Sequence, residues 1–361
     1  MTACNIDFFD QQSLVCIWHD TADMPDIDDD YISASTSKVT IGKTTKVTNG
    51  AWIRFSGPLS WIGLVTEVDN DDSDDTVVSF KPFIARFDED LIFDTRKQGG
   101  SDSLETVIGQ WLTARFVNVD KYQKLPLTFV STSSTTSWGF NLKASKEGSY
   151  FLATGAYKTL IIKALTKYGI SIIPTFNFAA KTIALTVGTR PNKIGIDADL
   201  DNITIKTFDI HKSSQVTNKL VVWCYEDLSK PVIYYLHPDE TYDTTNSNRI
   251  TPVVQDEELT EYTGTDADTL SAADKIAKAA ASAASSKFSG TEWSSLIELE
   301  CAMDDTMISP VSMPFGQQVI IYHDGASYPS ILTGKAYKSG VCTLSFGTVR
   351  YDLIKRIKEG I

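Results

Sequence analysis

Alternating apolar positions dominate the first hundred residues of the chain and predict β-strands. Val39 and Ile41 are spaced for one face of a strand, and a short apolar run covers residues 13–19. An acidic tip at residues 69–75 separates two further apolar runs, which is typical of a hairpin. Several short strands without a helix signal predict a small β-barrel or sandwich, to which we assign residues 1–98.

Helical periodicity replaces this alternation after Gly99 and Gly100. Five apolar residues recur at positions i, i+3, i+4, i+7 and i+8: Leu104, Val107, Ile108, Trp111 and Leu112. They predict an amphipathic helix that starts at Asp102 and Glu105, and a polar loop follows at residues 131–137.

A second helix is predicted over residues 154–168, where Gly169 supplies the stop. Apolar segments at 170–178 and 182–187 predict two strands after it. Residues 99–190 are therefore expected to form an α/β domain.

A second β-rich stretch begins near Ile203, and residues 203–208 alternate with period two. Segments 220–225 and 232–236 predict a hairpin pair. Three more strands are predicted near the end of the chain, at 317–323, 329–336 and 341–346. We group residues 191–240 with 306–350 as a second β domain.

Residues 241–305 are interpreted as a linker followed by a helical insert, and the polar linker itself covers residues 239–248. The insert is an alanine-rich helix over residues 269–288, opened by Ser271 and Asp274 and closed at Gly290. Its small side chains allow close packing but bring little apolar area. Residues 351–361 are expected to form a basic tail, because the only basic cluster covers residues 350–358. The predicted fold class is α+β and rich in β-structure.

The composition of the chain argues against several classes of function. The chain has 361 residues, of which 42% are hydrophobic and 22% charged, as in globular proteins. Its net charge of −13 argues against wrapping nucleic acid and against an anionic membrane surface. No apolar run reaches the ~18 residues of a membrane-spanning helix. The N-terminus has neither the basic region nor the apolar core of a secretion signal.

The cysteine pattern predicts free thiols. The five cysteines are odd in number and form no C-x-x-C pair: Cys4, Cys16, Cys224, Cys301 and Cys342. We expect most of them to be buried, in a protein made in a reducing cytosol.

Catalytic signatures are missing from the sequence, which has no G-x-S-x-G, H-E-x-x-H or G-x-G-x-x-G motif. Gly42–Lys43–Thr44 resembles the end of a phosphate loop, but Ser37 stands where that loop requires glycine. The four histidines show no metal-ligand spacing and are interpreted as surface or strand-end residues: His19, His211, His237 and His323.

Acidic runs leave Ca²⁺ binding as an alternative, because carboxylate oxygens at alternate positions are suitable ligands for that ion. The runs are Asp26 with residues 28–30, then residues 69–75, and the alternating Asp197, Asp199 and Asp201. None has the glycine and glutamate of an EF-hand loop, so solvated turns are the favoured interpretation.

Exposed tryptophan rings can bind sugars by stacking, and the chain has seven tryptophans: Trp18, Trp52, Trp61, Trp111, Trp138, Trp223 and Trp293. Six lie in apolar patterns that favour core packing, and Trp138, which follows the polar loop, is the one expected to be exposed. We assign no catalytic, cofactor-binding or metal-ligating residue.

Several stretches in the C-terminal part carry a family resemblance: 216–222, 296–301, 313–319 (MPFGQQV), 328–335 and 344–350. With the order of β, α/β, β and helical segments, they resemble baseplate-hub, or tail-associated, proteins of long-tailed phages. The similarity is strongest to the short structural form found in phages of Gram-positive hosts.

The resemblance implies two similar small β-barrel domains in each chain and a homotrimer, which presents a pseudo-sixfold ring to a hexameric distal tail protein. It also implies contacts with receptor-binding or other baseplate proteins and with the tape measure protein, and a place at the distal tail of the virion. Such a hub closes the tail tube, joins it to the adsorption apparatus and opens for DNA, which passes without specific binding.

Relatives with a C-terminal lysin or fibre-like extension differ from this sequence, which ends at Ile361. A non-enzymatic hub is therefore the expectation. A carbohydrate-binding adsorption protein is the alternative, and a cell-wall hydrolase domain with a convergent acid pair is the third interpretation.

Overall fold

The computed structural model describes residues 3–70, 74–94, 102–121, 123–136, 138, 144–147, 150–210, 217–237, 241–246, 253–264, 266–288 and 295–347. The basic segment 350–361, His211, Trp293, Gly99, Gly100 and Gly290 lie outside these residues.

Strands account for most of the regular structure. The first eight are β1 (Ala3–Phe9), β2 (Cys16–Asp23), β3 (Ile27–Asp30), β4 (Ser37–Gly42), β5 (Trp52–Ser56), β6 (Trp61–Asp69), β7 (Asp75–Pro82) and β8 (Asp90–Asp94). The middle of the chain forms α1 (Leu104–Phe116), β9 (Leu127–Ser131), β10 (Ala144–Glu147), β11 (Tyr150–Ala156), α2 (Tyr157–Tyr168), β12 (Ser171–Asn177) and β13 (Thr182–Gly188). The remainder forms β14 (Arg190–Asp197), β15 (Thr204–Ile210), β16 (Lys219–Cys224), β17 (Asp227–Leu236), β18 (Tyr242–Asp243), β19 (Gln255–Thr260), α3 (Ala272–Phe288), β20 (Ser295–Ala302), β21 (Gln317–His323), β22 (Ala326–Lys338) and β23 (Val341–Phe346).

The first large sheet is antiparallel, barrel-like and nearly closed, with strand order β2-β1-β5-β6-β7-β4. Its two edges meet where the Gly42 amide of β4 donates a 2.8 Å hydrogen bond to the Asp20 carboxylate of β2. The predicted hairpin around residues 69–75 is confirmed as β6 and β7. The apolar run at 13–19 is a strand only from Cys16, because Asp10 Oδ1 accepts the Ser13 amide at 2.7 Å and holds a turn before it.

The second large sheet has seven strands, in the order β14-β21-β22-β23-β20-β15, with β3 pairing on β22. It curls, because β14 and β15 stand at opposite ends of this order although only six residues separate them along the chain. Phe208 of β15 accordingly contacts the rings of His323 and Tyr328, at centroid distances of 4.6 and 5.0 Å. One polypeptide thus carries two curved β-sheets.

The short strand β3 joins the two sheets. It follows β2 of the first large sheet along the chain and pairs antiparallel with β22 of the second. In this register Asp29 lies opposite Lys335 and Ile27 lies opposite Tyr337. Apolar side chains from both sheets also form one continuous buried cluster, which includes Phe55 and Leu344. The two sheets are therefore packed as one body.

The interpretation of the acidic run at Asp26 and residues 28–30 as a solvated turn is wrong for residues 28–30, although Asp26 is exposed and lies before the strand. Residues 27–30 form β3, and Asp30 is 1% exposed. Its Oδ1 accepts the amides of Ile32 and Ser33 at 2.6 and 3.0 Å, so backbone donors replace the water that this carboxylate loses.

Helices α1 and α2 lie near the positions predicted from periodicity. The N-cap of α1 is Ser103, whose hydroxyl accepts the Thr106 amide at 3.3 Å, and not the expected Asp102–Glu105 pair. Helix α2 begins at Tyr157 and not at residue 154, because residues 150–156 form β11 and pair with β8. Gly169, at φ +70°, ends α2 as predicted.

Two three-stranded sheets accompany these helices, with orders β10-β11-β8 and β12-β13-β9. The strands expected at 170–178 and 182–187 are confirmed as β12 and β13, and β9 pairs parallel to β13 at the edge. A core around Trp52, Phe87 and Tyr157 joins this region to the first large sheet.

A four-stranded sheet, β18-β17-β16-β19, packs against α3. The predicted hairpin is confirmed as β16 and β17. Ser271 opens α3 as predicted, since its hydroxyl accepts the Asp274 amide at 3.2 Å. Four buried alanines of α3 contact Leu220, Val222 and Cys224 of the sheet: Ala279, Ala280, Ala283 and Ala284. Small side chains thus allow the close packing that the sequence indicates.

The fold class is confirmed as β-rich, with few helices and a nearly closed barrel-like sheet. The domain boundaries drawn from the sequence stay a prediction. Strand pairing places β20 between β15 and β23 of the seven-stranded sheet, and the described part of the expected linker 239–248 contains β18.

The hydroxyl of Tyr31 fixes the end of β3 against β12. It accepts the backbone amide of Ile172 at 3.0 Å in a buried position. We expect Tyr31→Phe to lower the free energy of unfolding by about 1–3 kcal/mol, because it leaves this amide unpaired. Urea denaturation measures the change. Tyr322→Phe, at a 46% exposed residue, is the matched control; equal midpoints for the two variants would contradict the assignment.

The stability of the junction between β3 and β22 should depend on pH. Burial raises the pKa of Asp29 to about 6, although the charge of Lys335 opposes the shift. Since the folded pKa exceeds the unfolded one, stability is greatest below pH ~4 and falls as the pH rises through about 6.

The free energy of unfolding of the wild type should therefore decrease between pH 4 and pH 8. We expect this decrease to be about 1–3 kcal/mol smaller in Asp29→Asn, which has no carboxylate to ionise at this position. Denaturation midpoints measured between pH 4 and 8 test this, with Asp26→Asn at a neighbouring exposed carboxylate as control. Parallel curves for the wild type and Asp29→Asn would refute it.

Candidate functional surfaces

Trp138 is not the exposed platform that the sequence predicted. It is 1% exposed, and its indole N–H donates to the Asp102 carbonyl at 3.0 Å. The described part of the polar loop before it bonds to the first turn of α1, and Trp138 itself packs in the core cluster that contains Leu104 and Tyr157. The loop is held there by Glu105, a carboxylate buried in the first turn of α1.

Glu105 organises that loop through three hydrogen bonds. Its carboxylate accepts the Ser133 hydroxyl at 2.6 Å, the Thr135 amide at 2.8 Å and the Thr135 hydroxyl at 2.9 Å. Burial alone raises the pKa of Glu105, but these donors outweigh it and the net pKa is lowered. The polar loop therefore supplies the hydrogen-bond donors that stabilise a buried charge.

The Gly42–Lys43–Thr44 segment does not form a phosphate loop. All three backbone amides have partners within the protein: Asp20 Oδ2 for Gly42, the Asp74 carbonyl for Lys43 and Thr76 Oγ1 for Thr44. A phosphate loop presents such amides to its ligand, so this segment is part of the seam that closes the first sheet.

The described histidines each contact an aspartate. His19 lies 2.7 Å from Asp7, His237 lies 3.0 Å from Asp243, and His323 lies 2.5 Å from Asp199. Burial raises the pKa of Asp7, but hydrogen bonds from Arg54 and His19 outweigh it and leave the pKa lowered. These pairs connect neighbouring segments of the sheets and need no metal ion for their geometry.

Within the described residues, one group of three side chains has metal-ligating types close together: Asp199, His323 and Asp324. Asp199 already accepts from His323 and from the Asp324 amide, which lowers its pKa. Asp197 and Asp201 do not join this group; Asp197 Oδ1 accepts the Asp199 amide at 3.1 Å in a turn. The alternating aspartates therefore build a turn and do not converge on a Ca²⁺ site.

All five cysteines are free, and four are buried, as predicted. Cys301 and Cys342 lie directly opposite each other on β20 and β23. Burial raises their pKa values to about 11 and about 12, so both remain protonated and unreactive at neutral pH.

An apolar patch lies at one end of the four-stranded sheet. We use "end patch" for Trp223, Tyr225, Leu228 and Leu259. Trp223 and Leu259 are register partners on β16 and β19. They face away from α3, because alternate residues Val222 and Cys224 face that helix.

The other two members of the end patch lie beside this pair. Tyr225 donates its amide to the Thr260 carbonyl at 3.0 Å, and Leu228 follows in the same hairpin. Tyr225, Leu228 and Leu259 are 50–60% exposed. Grouped exposed apolar side chains are typical of protein–protein contact surfaces.

A shallow groove of about 430 Å³ runs between α1 and the edge strand β9. The lining residues that the structure describes have no charged side chain and include Thr106, Gly109, Thr113, Asn118, Phe129 and Ser131. Neither the end patch nor this groove was predicted, since each combines segments that are distant in sequence. Gly109 in mid-helix was the one available signal for the groove.

Comparisons with known proteins found similar solved structures but no similar sequence family. No family model matches the chain, and no curated protein matches it. The prophage tail protein gp18 from Listeria monocytogenes EGD-e is similar at 11% identity, with a TM-score of 0.47, over 98% of this chain and 97% of that one.

Two further structures are similar. A tail protein from Neisseria meningitidis MC58 has 10% identity and a TM-score of 0.48, over 96% of this chain and 97% of its own. A chain of the phage P2 baseplate in its activated conformation with Ca has 13% identity and a TM-score of 0.46, over 95% and 98% of the two chains. The structures similar to this chain thus include phage baseplate and tail proteins.

In the part of the chain that the structure describes, no helix is both long and apolar enough to cross a membrane.

Replacing Glu105 tests the organisation of the loop. Glu105→Gln keeps the shape but loses acceptors for the Ser133 and Thr135 donors, so we expect a loss of about 1–3 kcal/mol at pH 7. Because the folded pKa lies below the usual 4.5, this stabilisation is present above pH ~4.5 and disappears as the pH falls through the folded pKa.

Thermal denaturation at pH 7 and at pH 3 measures both effects. Glu257→Gln, at an exposed carboxylate, provides the control. A wild-type advantage over Glu105→Gln that stays constant down to pH 3 would argue against the buried charge.

Proposed function

We propose that this chain is a structural, non-enzymatic protein of the baseplate hub in a long-tailed phage of a Gram-positive host. Three copies form the hub at the distal end of the tail. The hub docks on a hexameric distal tail protein, contacts the tape measure protein and the receptor-binding or other baseplate proteins, and links the tail tube to the adsorption apparatus. It closes the tube and opens for DNA release through movements at its interfaces.

The observation that carries this proposal is the presence of two curved β-sheets in one chain, held together by β3. Three such chains present six β units to a sixfold partner, so the rigid junction supports matching of threefold to sixfold symmetry. The stretches of sequence that resemble hub proteins overlap β16, β20, β21, β22 and β23. The net charge of −13 further supports a wall that lets DNA pass without binding it.

The end patch supports the assembly role. Its three exposed apolar side chains lie beside the acidic strand β19, and an apolar centre with a polar rim is usual for protein interfaces. We propose that this patch contacts a second copy of the chain.

The mass in solution tests the assembly. We expect light scattering to give about three times the 39.8 kDa of one chain, and two-dimensional averages of negatively stained particles to show threefold rings. A dimer, or a monomer that persists at concentrations on the order of 100 μM, would contradict the trimer.

A pair of variants locates the interface. Leu259→Lys should shift the mass towards the monomer by burying a charge in the contact, while its unfolding temperature stays near that of an unassembled wild-type chain. Met307→Lys is the matched control, since Met307 is 73% exposed and lies outside the end patch. Trimers of normal stability in Leu259→Lys would place the interface elsewhere.

A further inference from the structure

The groove between α1 and β9 is independent of the end patch and of the assembly role. It is lined by hydroxyl and amide side chains, one aromatic ring and the small residues Gly109 and Ala114. Its volume of about 430 Å³ lies within the roughly 300–1,000 Å³ range of small-molecule sites.

Gly109 is not required by the packing around it. It occupies the middle of α1, where glycine lowers helix stability relative to alanine. A Cβ at this position would lie 3.8 Å from Cβ and 3.9 Å from Cγ of Phe129, which is ordinary contact. Alanine therefore fits, and its methyl group would cover the part of the Phe129 side chain that borders the groove.

Strand β9 supplies backbone groups to the same groove. Among the residues that the structure describes, it is the edge strand of its sheet and pairs with β13 alone. The amides of Ile183 and Thr132 bond to the carbonyls of Pro126 and Val187, so even-numbered residues of β9 face β13 in the parallel ladder. The backbone groups of Phe129 and Ser131 therefore point to the free edge, and both residues line the groove.

We propose that this groove binds a neutral saccharide. The absence of charge in the lining favours an uncharged ligand, and the backbone edge with Ser131 and Asn118 offers donors and acceptors to sugar hydroxyls. The face of the Phe129 ring attracts the C–H groups of a hexose. An open groove contacts one side of such a ligand, so the dissociation constant for one site is expected on the order of 1 mM.

Gly109→Ala separates binding from folding, because its two expected effects have opposite signs. The unfolding temperature should rise by ~1–3 °C, since alanine favours the helix. Saccharide affinity should fall at least about tenfold, since the methyl group occupies the groove. Val130→Ala is the matched control: Val130 adjoins Phe129 on β9, is 53% exposed and points to the opposite face of the strand.

The full chain is titrated with lactose, cellobiose and N,N′-diacetylchitobiose, and binding is followed by saturation-transfer NMR. We expect at least one disaccharide to bind the wild type and Val130→Ala equally and to bind Gly109→Ala at least about tenfold more weakly. No saturation transfer from any of the three, or equal binding by Gly109→Ala at a raised unfolding temperature, would overturn the proposal. The assembly role is tested separately, by mass.

Discussion

The pairing of β3 with β22 is the contact on which the arrangement of the two large sheets depends. Four residues, Ile27–Asp30, cross from the first sheet and add a strand to the second. Lys335, opposite Asp29 in that register, is 6% exposed, and its ammonium group donates to the Val311 carbonyl at 3.0 Å. A charged pair is thus enclosed in the junction, where either charge alone would be costly to bury.

The same junction makes a shared core unavoidable. Because β3 draws the sheets together, apolar residues of both belong to one buried cluster. Neither sheet presents a separate apolar face to solvent at this position, so the sheets resist relative motion. Relative motion within the chain would therefore involve the smaller four-stranded sheet, whose own cluster is built around α3.

Local sequence patterns located most strands and helices because alternation, helical periodicity and stop residues act over a few positions. β21 and β23 have the bounds expected from their apolar runs. The same reasoning missed β3, since a four-residue segment with three aspartates has the composition of a turn. Its strand character comes from β22, which lies far along the chain, and no local pattern contains that information.

The surfaces were harder to anticipate than the fold. Trp138 follows a polar loop, but its indole lies in a core cluster of residues that are distant in sequence, and its N–H donates to the Asp102 carbonyl. The end patch combines the β16–β17 hairpin with β19, and the groove combines α1 with β9. The sequence could show that Gly109 is unusual within a helix, but the open space beside it is a property of the tertiary structure.

On the ribosome, β3 is made long before its partner. The two strands are separated by ~300 residues, and at about 5–20 residues per second the nascent β3 waits roughly 15–60 s with an unpaired edge. Exposed strand edges invite pairing with other chains, and charged side chains discourage it. Asp28, Asp29 and Asp30 place three charged side chains on this edge, and such charges oppose pairing with other chains. In the finished protein the same residues pair with β22, and Asp30 is 1% exposed.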